Sequence, residues 1–461
     1  MFSDRIAPES YPRPLAPDNG PNPMPAAAVP DPQRTLLWVA VTPQRIEQLV
    51  LSLVLVGHSS YRAAQEILAT AFNYSLSIGS IHNLVRQAAK RAAELNRQQD
   101  RRLLGSIAVG AHDEIFQGNR PALVGVDLQS SYCYLLAGVS HRDVDSWSVP
   151  LLELQEAGLS LCYSVADGGH ALRLAQQQCW PGVPCHGDVF HAFRALNRVC
   201  ASLDRRALGS MQAVAELQAR FQRCWKKGEA AHLGRALHAA RANERQLVEV
   251  ADDLRVLSQW MREDVLGLRG PDPATRGELF DWIVKEIAQR AAIGGRLAKA
   301  AAKALAAGRD RLLAFAQELE RQLQRAAEAV GLPLYLIKRV YELEKGDEGD
   351  AAYWQERSKL EHQLGGRLEA ARRAVAAALA ATHRASSLVE NLNSRIRCYI
   401  FLRRQVGDTD FLELLRFFFN HHVLVRSRCP RRRGRSPAAV LAGQGFAHWL
   451  QMLGYGWPQL N

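Results

Sequence analysis

Between residues 106 and 191, short apolar runs alternate with turn residues in a compact order that sets the expected architecture. Residues 107–116 (IAVGAHDEIF) are apolar and β-branched enough for a strand, and residues 117–121 (QGNRP) close it with turn chemistry. Residues 122–126 predict a second strand, residues 127–130 a turn and residues 132–139 a third strand, which together make an antiparallel meander. Asp145 and Ser146 then read as a helix N-cap, Trp147, Leu151, Leu154 and Ala157 recur at helical spacing, and Gly158 ends the run. Residues 161–166 predict a fourth strand. It runs into Asp167, Gly168 and Gly169, which puts a carboxylate at a strand tip beside backbone that lets a ligand approach.

The flanks have other periods. Residues 1–41 are rich in proline and poor in large apolar side chains, as expected of a disordered leader. Thr42 and Pro43 then start a helix with apolar positions Ile46, Leu49, Val50, Leu53 and Val54. A second helix is predicted from Ser60 to Leu68 and a third from Ile78 to Ala92. The third has a basic face of His82, Arg86, Gln87, Lys90 and Arg91 and an inward face of Ile81, Leu84 and Val85. From residue 192 to about 384 the composition is Ala, Leu, Arg, Glu and Gln in helical periodicity. Breaks at Gly228, residues 270–273, Gly308, residues 331–333 and residues 346–350 leave no sustained heptad, so several antiparallel helices are expected. Trp225, Trp260, Trp282 and Trp354 read as helix-packing residues, with stacking on an unpaired base as the functional alternative.

Two further acids and their neighbours complete the pattern. Asp188 and His191 follow the fourth strand, and Glu390 opens a helix-like stretch, residues 387–397 (SLVENLNSRIR). These pieces resemble, in order, the catalytic core of DDE transposases of bacterial insertion sequences. Residues 112–116 resemble the first-aspartate strand, residues 165–169 the second-aspartate strand, residues 387–397 the glutamate helix, and Asp188 with His191 the C/D-x-x-H signature of mutator-like relatives. The resemblance implies an α/β ribonuclease H-like core with a mixed five-stranded sheet, split by a large all-α insertion. It divides the chain into the leader (1–41), a helix-turn-helix-like module (42–100), the first part of the core (106–200), the helical insertion (201–384) and the second part of the core (385–461). It also implies catalytic, metal-holding roles for Asp113, Asp167 and Glu390 and supporting roles for Asp188 and His191.

Charge agrees with that partner class. Lys and Arg total 58 against 46 Asp and Glu, a net charge of +12, which favours a polyanion. Arg395, Arg397, Arg403 and Arg404 follow Glu390, and Arg426, Arg428, Arg431, Arg432, Arg433 and Arg435 crowd a later stretch. These read as phosphate contacts, with Asn393 beside the glutamate and with His82, Arg86, Lys90 and Arg91 on the third helix. Eight cysteines form no CxxC pair, which suits reduced thiols, and no apolar run reaches the roughly 18 residues of a membrane span. The expected setting is therefore the cytoplasm, on the nucleoid, with no membrane partner.

Three carboxylates suit two Mg²⁺ or Mn²⁺ ions, which take oxygen ligands and complete their shells with water and phosphate. The expected partner is double-stranded DNA, both element ends and target, and synapsis of two ends implies a homodimer or higher oligomer. Asp127 also follows an apolar strand. Asp113 is preferred as the first acid because it leaves two further strands before the helix, which makes Asp127 a hairpin-turn acid. Glu114 and His112 should point to the opposite sheet face. Zinc on Cys185, His186, Asp188 and His191 is disfavoured, since adjacent Cys185 and His186 cannot readily share a tetrahedron. The competing functions are a DNA-binding protein that keeps the fold without catalysis, and another ribonuclease H-like nuclease.

Overall fold

The computed structural model describes residues 41–227, 231–402, 409–427 and 429–456. The expected leader lies outside them apart from Val41, as do Arg403, Arg404 and Arg428. The chain divides into two units at residues 46 and 47. Of the first, Val41 to Ile46 is described, where Thr42 Oγ1 accepts from the amide of Arg45 (3.2 Å) at the start of helix α1 (Pro43–Leu55). All else below belongs to the second unit.

Helices α2 (Tyr61–Phe72) and α3 (Ile78–Leu103) are each capped by a serine. Ser60 accepts from Ala63 N (3.1 Å) and Ser77 from Ser80 N (3.0 Å). Helix α3 outruns the apolar pattern by three turns. Its buried face continues through Ala92, Asn96, Gln99, Asp100 and Leu103, and the polar members of that row hide the period.

A five-stranded sheet follows, in the order β3-β2-β1-β4-β5. Strands β1 (Val109–Gln117), β2 (Arg120–Asp127) and β3 (Cys133–Gly138) form the antiparallel meander, while β4 (Tyr163–Ala166) and β5 (Cys185–Gly187) add in parallel to β1. Strand β5 is only three residues long, too short to show alternation. Gly110 and Gly125 are required where they stand, because Tyr134 lies across both strands and a Cβ at either position would strike its ring or hydroxyl. Helix α4 (Val144–Glu156) is capped by Asp143, whose carboxylate accepts from Ser146 N (2.8 Å), so the N-cap lies two residues before the expected Asp145. Helix α4 packs beside α5 (His170–Cys179), and Trp147, Leu151 and Leu154 enter a core with Tyr134, Leu172 and Trp180.

The chain then becomes entirely helical. Helices α6 (Val189–Trp225) and α7 (Ala231–Trp260) make a long hairpin, followed by α8 (Pro273–Gln289), α9 (Ala291–Val330), α10 (Leu334–Leu343), α11 (Ala351–Leu364) and α12 (Leu368–Ala381). Two apolar cores hold this block, one joining α6 to α9 and the other joining α9 to α12. The four tryptophans expected as packing residues are instead 69% (Trp225), 44% (Trp260), 45% (Trp282) and 50% (Trp354) exposed. Slender helical hairpins leave much outer surface, and here it carries the indoles: Trp260 lies against Trp282 (5.8 Å) and Trp354 under Arg357. No described helix is long and apolar enough to cross a membrane.

Helix α13 (Ser387–Phe401) brings the chain back to the sheet, and α14 (Thr409–His421) packs on β3 and α3 before the short α15 (Pro437–Ala442) and α16 (Trp449–Met452). One buried ion pair ties α3 to α14. Asp100 accepts from Arg416 (2.8 Å) and from the Tyr132 hydroxyl (2.8 Å), and Asn96 donates to Glu413 (2.6 Å). Burial opposes the charge of Arg416, but Asp100 and Glu413 outweigh it and keep the guanidinium firmly charged. Replacing Asp100 by Ala leaves that cation short of its partner. We expect a loss of about 3 kcal/mol in denaturant unfolding, and a loss under about 0.5 kcal/mol would show that the pair does not brace the fold.

Candidate active site

Parallel register places the first two acids. His112 pairs with Ala166 across β1 and β4, so Asp113, in the middle of β1, lies beside Asp167, the first residue past the end of β4. Alternation along β1 then sends His112 and Glu114 to the face covered by α4 and Asp113 to the face covered by α13. His112 is buried among Tyr134, Trp147 and Trp180, and burial pushes its imidazole down to about 4, as suits a structural neutral ring. Glu114 accepts from the Trp147 indole (2.9 Å) and pairs with Arg142.

Glu390 arrives on α13. The turn before that helix is pinned to the sheet: His383 N donates to the Tyr163 hydroxyl (3.0 Å), and Val189 N donates to Arg384 O (3.0 Å). Asp188, at the end of β5, caps α6 by accepting from Phe190 N (2.8 Å), and it also accepts from Ser386 N (3.1 Å) and from the Ser386 hydroxyl. One turn beyond Glu390 on α13, fully buried Asn393 donates to Asp113 Oδ2 (2.7 Å). The two halves of the sequence thus meet at a single cleft of about 170 Å³. It is lined by Asp113, Asp167 and Glu390, with His191, Arg142, Arg194 and Arg397 around them.

Electrostatics follow from this crowding. Burial pushes the Asp113 carboxyl up to about 6; the Glu114 amide opposes the shift, and the charges of Glu390 and Asp167 add to it. Burial alone would raise Asp188, but hydrogen bonds from His191 and Ser386 hold it below the ordinary carboxylate range. The same bond to Asp188 (2.5 Å from Nδ1) raises His191, whose Nε2 lies 3.7 Å from Glu390. Asp167 Oδ1 accepts from Gly169 N (2.8 Å), fixed by the tight turn at the strand end. All three acids offer hard oxygen donors, the kind that Mg²⁺ and Mn²⁺ take, and their mutual repulsion is what a cation relieves. Among the described residues, no three acids, histidines or cysteines already stand in a finished ion site.

The other expected site residues separate into three groups. Asp127 is the turn acid anticipated for it, accepting from Gln129 N (3.3 Å), Ser130 N (2.7 Å) and the Ser130 hydroxyl at the β2–β3 hairpin. Arg397 reaches the cleft, while His82, Arg86, Lys90 and Arg431 are exposed, Arg86 within 3.7 Å of Asp410. Several others are held by the fold itself. Arg395 stacks on Phe419 (4.4 Å), Arg432 donates to Leu128 O (3.1 Å) and Gln129 O (2.8 Å), Arg433 leans on Ser427 O (3.3 Å) and Arg91 donates to Leu453 O (3.2 Å). Asn393 is buried and supports Asp113, so it presents nothing to a DNA surface. Sequence reasoning missed Arg142 and Arg194 at the cleft. Arg194 was legible as one helical turn beyond His191, whereas Arg142 stands in a loop with no marking pattern.

The raised Asp113 carboxyl makes a signed prediction. A folded-state value above the ordinary 3.8 means the native state favours the protonated acid, so the stability it contributes is present below about pH 4 and lost as pH rises through about 6. Without divalent cation, Asp113→Asn should therefore be more stable than the parent above pH 7, by about 3 kcal/mol, and nearly equal to it at pH 4. Thermal unfolding at both values checks this, and a variant weaker than the parent at pH 8 would remove the repulsion from the account. No family model matches this chain and no curated protein matches it, so the chemistry of the cleft is argued from its own residues.

Proposed function

We propose that the chain is a DNA transposase that binds the ends of a mobile element and catalyses divalent-cation-dependent cleavage and strand transfer. One observation carries the proposal: Asp113, Asp167 and Glu390, from two strands and a helix far apart in sequence, line one cleft ringed by arginines. The strand order, with an antiparallel meander and two parallel additions interrupted by α4 and α5, supports a ribonuclease H-like core, and the block from α7 to α12 has the place of an insertion within it. An all-oxygen, triply anionic set fits Mg²⁺ or Mn²⁺, which Asp113, Asp167 and Glu390 would hold. When bound, two such ions supply activation of the attacking oxygen and stabilisation of the leaving one.

The chain's own side chains do the rest. Asn393 orients the Asp113 carboxylate, and the Gly169 amide orients Asp167. His191, which its bond to Asp188 shifts toward the protonated form, has Nε2 beside Glu390, and Arg194 and Arg397 stand at the rim, where they hold the non-bridging oxygens of a phosphodiester. End recognition falls to the exposed face of α3, with His82, Arg86 and Lys90, in the manner of a helix-turn-helix module. Two ends brought together call for a homodimer or larger assembly on nucleoid DNA in the cytoplasm.

Asp113→Ala, Asp167→Ala and Glu390→Ala should each lower strand transfer by at least about 10³-fold, in the range expected for loss of a principal electrostatic group, while binding of end DNA persists. Asp127→Asn should keep activity and lose stability only. Purified protein, labelled DNA from the flanks of the gene and Mg²⁺ give the readout. An active Asp113→Ala beside an inactive Asp127→Asn would reassign the first acid, and flanks without inverted repeats in every copy of the gene would sink the proposal.

A further inference from the structure

Helix α6 begins at the cleft with His191 and Arg194 and continues for 37 residues, so its far end stands roughly 45 Å from Arg194 along the helix axis. That distal end is unusual in charge. From residue 211 to 227 it carries Arg220, Arg223, Lys226 and Lys227 against the single acid Glu216. Arg220 and Arg223 fall at i and i+3 on one face of the helix, Lys226 and Lys227 follow in the turn directly after it, and all four are exposed. Among the described residues, none of the four cations has a carboxylate partner. Within the same helical block, by contrast, Arg255 is held by Asp204 and Asp252, Arg290 by Asp253 and Glu286, and Arg309 by Asp281 and Asp310.

An aromatic pair adjoins this face. Phe221 sits against Gly234 of α7, and Trp225 stacks on it at 5.7 Å and 27°, leaving the indole 69% exposed. Four like charges within about two turns repel one another, and among the described residues no carboxylate pairs with them to offset that repulsion. A polyanion laid against them reverses the sign of that term.

We propose that the distal tip of α6, with the two lysines directly after it, is a second contact surface for duplex DNA, which takes the phosphate backbone on Arg220, Arg223 and Lys227 with Trp225 laid against it. The proposal rests on the preceding reading that the chain acts on DNA. From Arg220 the row runs about 8 Å to the end of the helix at Trp225 and continues into the turn with Lys227, a length of about two to three base-pair steps. Contact at the tip and at the cleft together requires a duplex that continues for at least about 13 base pairs between them. Such contacts carry no base readout; they set register and orientation.

The test is salt-dependent binding of a 40-base-pair duplex of arbitrary sequence by the full chain. Removing one side chain that neutralises a phosphate lowers the slope of log affinity against log salt by about 1, so combined Arg220→Ala, Arg223→Ala and Lys227→Ala should lower it by about 3. An equal change of charge on another exposed basic face, Arg296→Ala, Lys299→Ala and Lys303→Ala, should lower it by less than about 1. Matching circular dichroism and melting curves establish that both variants are folded. An unchanged slope in the first variant, an equal fall in both, or a change in oligomeric state without a change in slope each overturns the proposal. A parent chain that does not bind the duplex at all overturns the DNA reading itself, and this surface with it.

Discussion

The candidate site depends on the carboxylate of Asp188. It sits at the end of β5 with no exposed surface, and it accepts from the first turn of α6, from His191 and from both donors of Ser386. A buried charge is tolerated only when its lone pairs are filled, and these donors come from the two sides of the long helical block. Satisfying one anion therefore forces the start of that block and its end to meet at the sheet. Glu390 lies four residues past Ser386, which leaves it no route but into the cleft opened by Asp113 and Asp167.

The acids themselves are coupled in the same way. Asp113 is gripped from α13 by Asn393, so the helix that delivers the third acid also aims the first. Burial and two neighbouring carboxylates make ionisation of Asp113 costly in the bare protein, and the Glu114 amide and His191 offset only part of that cost. Ionisation of these acids therefore opposes folding, and a cation held between them would reverse the sign of that term.

Much of this was legible in the sequence. The strand that carries Asp113 and the one that ends just before Asp167 show as apolar runs with an acid inside the first and directly after the second, and the turn role of Asp127 follows from its place between two strands. Glu390 was found through the likeness of its surrounding helix rather than from any local period. What could not be read has a common physical cause: it depends on partners distant in sequence. Asp188 reads as an accessory acid until Ser386 is beside it, Asn393 as a DNA contact until Asp113 is beside it, and the last three turns of α3 are hidden because Asn96, Gln99 and Asp100 are buried, with Glu413, Tyr132 and Arg416 bonded to the first and last of them. The arginines divide for the same reason. Arg395 and Arg432 look like their exposed neighbours in sequence, yet an aromatic ring and two carbonyls claim them.

In the proposed arrangement, residues on both sides of the helical block would hold one cation site. Iron(II) substituted for the divalent ion, with ascorbate and peroxide, cuts the backbone only near where it is bound, and mass spectrometry of the full chain maps the cuts. The account predicts cleavage at three places at once, around residues 113, 167 and 390, suppressed together by excess Mg²⁺. Cuts near the two aspartates with none near Glu390, or cuts there that Mg²⁺ does not compete, would contradict it.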